Sequence, residues 1–322
     1  MPGFEPTTSQ RSTNNGTHGE IDLPQQFTVN FWGVRGSVPT PGFETIRYGG
    51  NTACVELRVA NQCIIFDAGT GLRRLGKKLL QQSPVEAHLF FTHTHWDRIQ
   101  GFPFFMPAFQ EENCFHIYGS VGLNGASIKQ RLYEQMLRPN FPVPLQVMQA
   151  DLKFNNIAPG SVTTLGDVVV ETISLNRSNG ALGYRVTWNG RSLVYATDTE
   201  YSTERVDQSL LYLAHQADLL IYDAVYADYA YYDGATVEEL RHQEAWKRAI
   251  ETVLAADVKQ VIMFHHDPAH EDDYLDQIEA EIQSCFSNVW LAREGMVVDL
   301  IPPLGKKQTE DAHPIESTDV RS

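Results

Sequence analysis

Long apolar runs are missing from this chain. None approaches the ~20 residues needed to cross a bilayer, so no membrane span is expected anywhere in its 322 residues. The opening Met1-Pro2-Gly3-Phe4-Glu5 has no basic stretch leading into an apolar one, so no signal peptide is expected. Cysteine is scarce. Cys54, Cys63, Cys114 and Cys285 are the only four, and none lies in a CxxC pair, which argues against a cysteine-rich metal site. Reduced, mostly buried thiols in a cytoplasmic protein are the expectation. Basic residues are outnumbered: 25 Lys and Arg stand against 40 Asp and Glu, for a net charge of −15. Such a surface gains no general attraction to nucleic acid or anionic lipid. That argues against a general DNA- or RNA-coating role, but not against a small anionic ligand in a locally positive pocket.

What is present supports a packed core: 42% of residues are hydrophobic and 11% aromatic. Residues 1–25 and 303–322 are poor in apolar residues and rich in polar ones, and read as a disordered N-terminal arm and C-terminal tail. The domain between them is expected to span 26–302. Within it, β-branched and aromatic segments predict strands near 28–33, 52–59, 62–67, 87–91, 115–119, 146–154, 161–174, 183–188, 191–196, 218–222 and 260–264, with short ones near 289–292 and 296–301. Asn189-Gly190 marks a tight hairpin. Helices are predicted near 72–82, 126–137, 203–215, 237–255 and 272–286, and Pro103 and Pro107 break the aromatic segment 99–109. Two β-rich halves with flanking helices suggest two packed sheets covered on both outer faces.

The apolar run Ala87-His88-Leu89-Phe90-Phe91 leads directly into Thr92-His93-Thr94-His95-Trp96-Asp97-Arg98. Side chains alternate along an extended segment, so His93 and His95 point the same way. Imidazoles and a carboxylate converging at a strand end are common ligands of zinc and similar ions. Three further chemistry-bearing segments follow predicted strands: Leu175-Asn176-Arg177-Ser178-Asn179-Gly180-Ala181, Ala196-Thr197-Asp198-Thr199-Glu200 and Phe264-His265-His266-Asp267-Pro268.

With Trp32-Gly33-Val34-Arg35-Gly36-Ser37, Arg47-Tyr48-Gly49-Gly50-Asn51-Thr52, Phe66-Asp67-Ala68-Gly69-Thr70-Gly71 and Gly183-Tyr184-Arg185, these blocks resemble the metallo-β-lactamase-fold hydrolases. The resemblance is to the branch of ribonuclease Z and cyclic-nucleotide phosphodiesterase-like proteins, and runs from about Phe31 to Gly295. It implies an α/β architecture, an αββα sandwich of two mixed sheets flanked by helices, with a two-metal site at one sheet edge. One metal would take His93, His95, position 177 and Asp198. The other would take Asp97, position 98, Asp198 and His265. Asp67 would lie near the pocket and orient ligands. His266 reads as a supporting residue, and His88, His116 and His215 as structural.

The chain departs from that pattern at both positions where the family places a further histidine. They are Arg98 and Arg177, and a guanidinium has no free lone pair for a metal. Relatives also carry an acid histidine just before the long late helix. That position is Glu239 in one registration on Gln243-Glu244-Ala245, and His242 if one gap is allowed. Asp97 and His242 are therefore the candidate catalytic residues, and Arg98, Arg177 and Asp67 the candidate ligand-binding ones. His93, His95, Asp97, Asp198 and His265 are the residual metal ligands. Two arginines bring about two positive charges to the place where two divalent ions would bring about four. The expectation is a degenerate site holding no metal or one weakly bound Zn, Mn or Fe ion. Three functions compete: a binding or regulatory protein whose Arg-containing pocket holds a phosphate-bearing anion, a metal-dependent phosphodiesterase with a residual mononuclear site, and a purely structural protein with a protein partner or a second copy of itself.

Overall fold

The computed structural model describes residues 26–175, 180–198, 207–223, 250, 251 and 253–301. The candidate residues Arg177, Glu239 and His242 lie outside them, as do the proposed arm and tail and most of the helix expected over 237–255.

Two seven-stranded mixed sheets face each other. The first holds β1 (Phe27–Gly33), β2 (Cys54–Val59), β3 (Gln62–Phe66), β4 (Glu86–Phe90), β5 (Cys114–Ser120) and β6 (Asp151–Ile157), with β14 (Val297–Asp299) beside β1. β1, β2 and β3 pair antiparallel, whereas β3 through β6 run parallel. The second holds β7 (Val162–Leu165), β8 (Val168–Ser174), β9 (Leu182–Trp188), β10 (Arg191–Ala196), β11 (Leu219–Asp223), β12 (Val261–Phe264) and β13 (Val289–Leu291). There β7 to β10 are antiparallel and β10 to β13 parallel. Thus each sheet has a parallel half whose strands end on a common edge.

Alternation along the strands builds the layers. Val29, Phe31, Val55, Phe66 and Phe90 meet Val170, Tyr184, Val186, Tyr195 and Phe264 between the sheets. Phe66 stacks on Tyr195 across that interface, with ring centroids 4.8 Å apart. The alternate residues Ile65, Ala87, Leu89, Phe115 and Ile117 face outward under α1 (Gly71–Leu79) and α3 (Ile128–Glu134). In α1, Leu72, Leu75 and Leu79 are buried while Arg73, Arg74 and Lys77 are exposed, the pattern of a helix with one apolar stripe. Each buried leucine contributes about 1.5–3 kcal/mol. On the far side, α4 (Gln208–Ala214) and α5 (Asp272–Cys285) cover Val194, Leu220, Val261 and Met263. The architecture is the αββα sandwich, two mixed sheets flanked by helices.

Two local expectations are corrected. The strand predicted over 161–174 is a hairpin, β7 and β8, because Gly166 at φ 58° turns the chain beside Asp167. The strand predicted over 146–154 begins at Asp151. Leu145–Val147 is instead a 3-10 turn behind Pro144, whose ring fixes φ and removes a donor. Asn189-Gly190 forms the β9–β10 hairpin turn, with φ of 47° and 71°. Among the described residues, no helix is long and apolar enough to cross a membrane.

Candidate functional site

The site lies where the parallel strands of both sheets end. β3 leads directly into Asp67, β10 through Thr197 into Asp198 and β12 directly into His265, and each of these residues turns the chain with positive φ (58°, 62° and 63°). Asp and His tolerate this region better than most side chains, and such backbone concentrates at functional sites. β4 ends at Phe90, passes through residues 91–95, and enters the one-turn helix α2 (Trp96–Ile99). The Leu182 N–H donates to the Thr92 carbonyl at 2.9 Å, tying this segment to the second sheet.

Arg98 is at the centre of the cluster. Its side chain is wholly inaccessible to solvent. Nη1 donates to Asp67 Oδ2 at 2.9 Å and to the Tyr195 hydroxyl at 3.1 Å, and Nη2 donates to Asp198 Oδ2. Its Nε lies 3.3 Å from Asp97 Oδ2. The guanidinium therefore sits among three carboxylates. Asp67 is also engaged on every side: it accepts from the Thr92 N–H and hydroxyl, and from Tyr195 at 2.9 Å.

His265 joins a second set of carboxylates. Its Nε2 is 2.9 Å from Asp97 Oδ2 and its Nδ1 is 3.1 Å from Asp223 Oδ2. Asp223, at the end of β11, also accepts from the Asp198 N–H at 2.7 Å. Asp198, Asp223 and His265 form a buried trio whose donor atoms lie within 4.8 Å of one another. The Trp32–Ser37 block explains how His265 is held. The Gly36 N–H donates to the His266 carbonyl at 2.9 Å, and a Cβ at Gly36 would come within 2.9 Å of the His265 ring. Buried Arg35 donates to the carbonyls of Gly49, Asp267 and His270, clasping the loop that follows. His266 points away from the cluster, bonded to the Ala292 carbonyl at 2.7 Å.

On the outer side, His93 Nε2 is 3.6 Å from Asp198 Oδ2, and Thr92 Oγ1 contacts His93 Nδ1 at 3.0 Å. The His93 and His95 rings meet edge to face with centroids 4.4 Å apart. Trp96 is exposed beside them, so this is the open side of the cluster. Arg131 of α3 donates to Thr94 Oγ1 at 2.7 Å and steadies the same segment. A cavity of about 560 Å³ opens elsewhere, on the outer face of the second sheet beside α4, and contains none of these residues.

The electrostatics follow from burial and pairing. Burial disfavours the Arg98 charge, but Asp198, Tyr195, Asp67 and Asp97 outweigh it and drive its pKa well up. Burial pushes the Asp67 carboxyl up, with Arg98 and Thr92 only partly offsetting it. Burial would also raise Asp97, yet the His265 hydrogen bond and the Arg98 charge hold it below the usual carboxylate range. Burial and Arg98 oppose a charged His265, but Asp198 and Asp223 prevail and raise it to about 10.

The structure thus brings together Asp67, His93, His95, Asp97, Arg98, Asp198 and His265. Arg98 contacts both carboxylates, Asp97 and Asp198, that the family pattern assigns to a second metal ion together with His265. The His93, His95 and Asp198 side has the donor chemistry for a single ion. Asp223 and Tyr195 join the cluster although the motifs do not single them out. Asp223 closes an apolar strand much as Asp67 and Asp198 follow theirs, and that signal is readable in the sequence.

The β-lactamase superfamily domain model matches residues 62–266. A ribonuclease Z of Gemmatimonas aurantiaca is 33% identical over 317 residues, covering 84% of this chain and 95% of that protein. The metallo-β-lactamase-fold protein YhfI of Bacillus subtilis superposes with a TM-score of 0.58 at 19% identity, covering 85% of this chain and 99% of the other. The short form of human tRNase Z does so with a TM-score of 0.57 at 19% identity, covering 85% and 100%. The chain belongs to the β-lactamase superfamily, has the metallo-β-lactamase fold and has ribonuclease Z proteins among its relatives.

Proposed function

We propose that this chain has a degenerate dinuclear centre and acts as a binding or regulatory protein with little or no hydrolytic activity. The observation that carries this reading is Arg98, fully buried and in contact with Asp67, Asp97 and Asp198. A divalent ion placed among the same oxygens would have to displace a charge that cannot be neutralised by losing its proton. Removing one partner from such a buried set leaves the others uncompensated, so the arrangement resists exchange. Arg98 acts in this reading as an internal cation. Its two terminal nitrogens already donate to Asp67, Tyr195 and Asp198, so a phosphate-bearing ligand would be met on the open side, by His93 and His95. The proximity of His93 to Asp198, at 3.6 Å, favours a second reading, a phosphodiesterase with one metal ion held by His93, His95 and Asp198.

Hydrolysis of bis(p-nitrophenyl) phosphate with and without added Mn²⁺ or Zn²⁺ separates the two. The binding reading predicts no metal-stimulated turnover by the wild-type chain. Metal-stimulated turnover that is lost in His93→Ala would overturn it in favour of the mononuclear enzyme.

A further inference from the structure

We propose that Glu86, Cys114 and His116, with Asp151 as fourth donor, form a binding site for a zinc-class divalent cation at the opposite end of β4. The parallel register of β4, β5 and β6 places Glu86 beside Cys114 and Cys114 beside Asp151. His116, two residues beyond Cys114, emerges on the same face of the sheet. The intervening Ala87 and Phe115 point to the helix side, so Glu86, Cys114 and His116 share the other face.

The donor atoms have already converged. His116 Nε2 is 3.0 Å from Glu86 Oε1 and 3.7 Å from Cys114 Sγ, and Cys114 Sγ is 3.9 Å from Asp151 Oδ2. Tetrahedral zinc with its usual bond lengths to sulfur, nitrogen and oxygen requires neighbouring donors about 3.3–3.6 Å apart. The Glu86, Cys114 and His116 donors all lie within 4.8 Å of one another. Small side-chain adjustments bring these three to zinc-bond spacing, and rotation of the exposed Asp151 side chain beside Cys114 supplies the fourth donor. Stacking fixes the plane of the His116 ring, which lies on buried His88 with centroids 4.6 Å apart, and the His88 Nδ1 contacts the Tyr118 hydroxyl at 3.3 Å.

Thiolate, imidazole and carboxylate together select zinc-class ions over magnesium or calcium, which prefer oxygen ligands alone. The Glu86 and Asp151 side chains are 65% and 62% exposed, leaving an entry path. Binding releases the Cys114 thiol proton to solvent. It also displaces the Lys153 ammonium, which now lies 3.3 Å from Asp151 Oδ2 and can swing into water. This site shares no residue with the Arg98 cluster and stands independently of the function proposed above.

Cobalt titration tests it on the full chain. A cobalt–thiolate charge-transfer band in the near ultraviolet is expected, saturating at a single cobalt and abolished by added zinc. Cys114→Ser should remove the band, Cys285→Ser should leave it, and His116→Gln should weaken cobalt binding by more than about tenfold. Unchanged far-ultraviolet circular dichroism of the variants shows that the fold persists. Absence of the band in the wild-type chain, or its survival in Cys114→Ser, overturns the proposal.

Discussion

β4 has side chains of metal-ligating type at both of its ends, and the two ends differ in the cation already there. At the carboxyl end, Arg98 is buried and fixed by Asp67, Asp97 and Asp198. At the amino end, the neighbouring cation is Lys153, a flexible side chain that is 48% exposed. A desolvated guanidinium among carboxylates can neither leave nor lose its proton, whereas a solvated ammonium can be displaced at little cost. The same types of donor therefore have different prospects. On the proposed readings, the difference teaches that the residue facing the donors matters to metal occupancy as much as the donors do.

The largest effect should come from emptying the carboxyl end. Arg98→Ala, unfolded by denaturant in the presence of chelator, should lose about 3–5 kcal/mol of stability, because three buried carboxylates lose their shared partner. A loss below about 1 kcal/mol would mean that the guanidinium is not the cation holding this end together.

An intermediate effect belongs to the amino end and depends on pH. Burial, with the neighbouring His116 acting in the same direction, lowers the His88 pKa from 6.5 to about 4. The unfolded chain then binds a proton that the folded chain refuses. Stability from His88 is fully present above its unfolded pKa and is lost as pH falls from about 6.5 towards 4. The slope is about 1.4 kcal/mol per pH unit in that window, for a total of up to about 3 kcal/mol. His88→Phe should flatten denaturation free energies between pH 6.5 and 4 relative to the wild-type chain. An unchanged slope would contradict the assignment of a neutral, buried His88.

The smallest effect should be that of Lys153→Ala. The thermal midpoint is expected to stay where it is, while cobalt affinity rises several-fold as a competing charge is removed. A fall in affinity would show that Lys153 assists the donors and does not compete with them.

Much of the site is legible in the sequence. Apolar strands followed closely by Asp67, His93, Asp198 and His265 mark the edge on which it forms, and Arg98 stands out as the wrong residue among metal ligands. The family resemblance sets position 98 beside Asp97 and Asp198, but local patterning alone does not give these partners, because Asp67 and Asp198 lie 31 and 100 residues away in sequence. Pairing over such separations is set by the docking of two sheets, and local patterning carries no record of it. Tyr195 is hidden for the same reason: alternation gives its face but not the carboxylate opposite. His116 reads as structural in the sequence because the donors that meet it, Glu86 and Asp151, come from neighbouring strands whose register the sequence does not state. The reading of 161–174 as one strand fails for a local reason, since the turn at Gly166-Asp167 interrupts an otherwise continuous β-forming run.

The central claim is that Arg98 occupies the place of one of the family's metal ions. Its most direct test is the metal content of Cys114→Ser protein, which lacks the thiolate at the amino end of β4. The protein would be saturated with zinc, dialysed exhaustively and measured by inductively coupled plasma mass spectrometry. The account predicts no more than a single zinc ion per chain. Two tightly retained zinc ions per chain would contradict it.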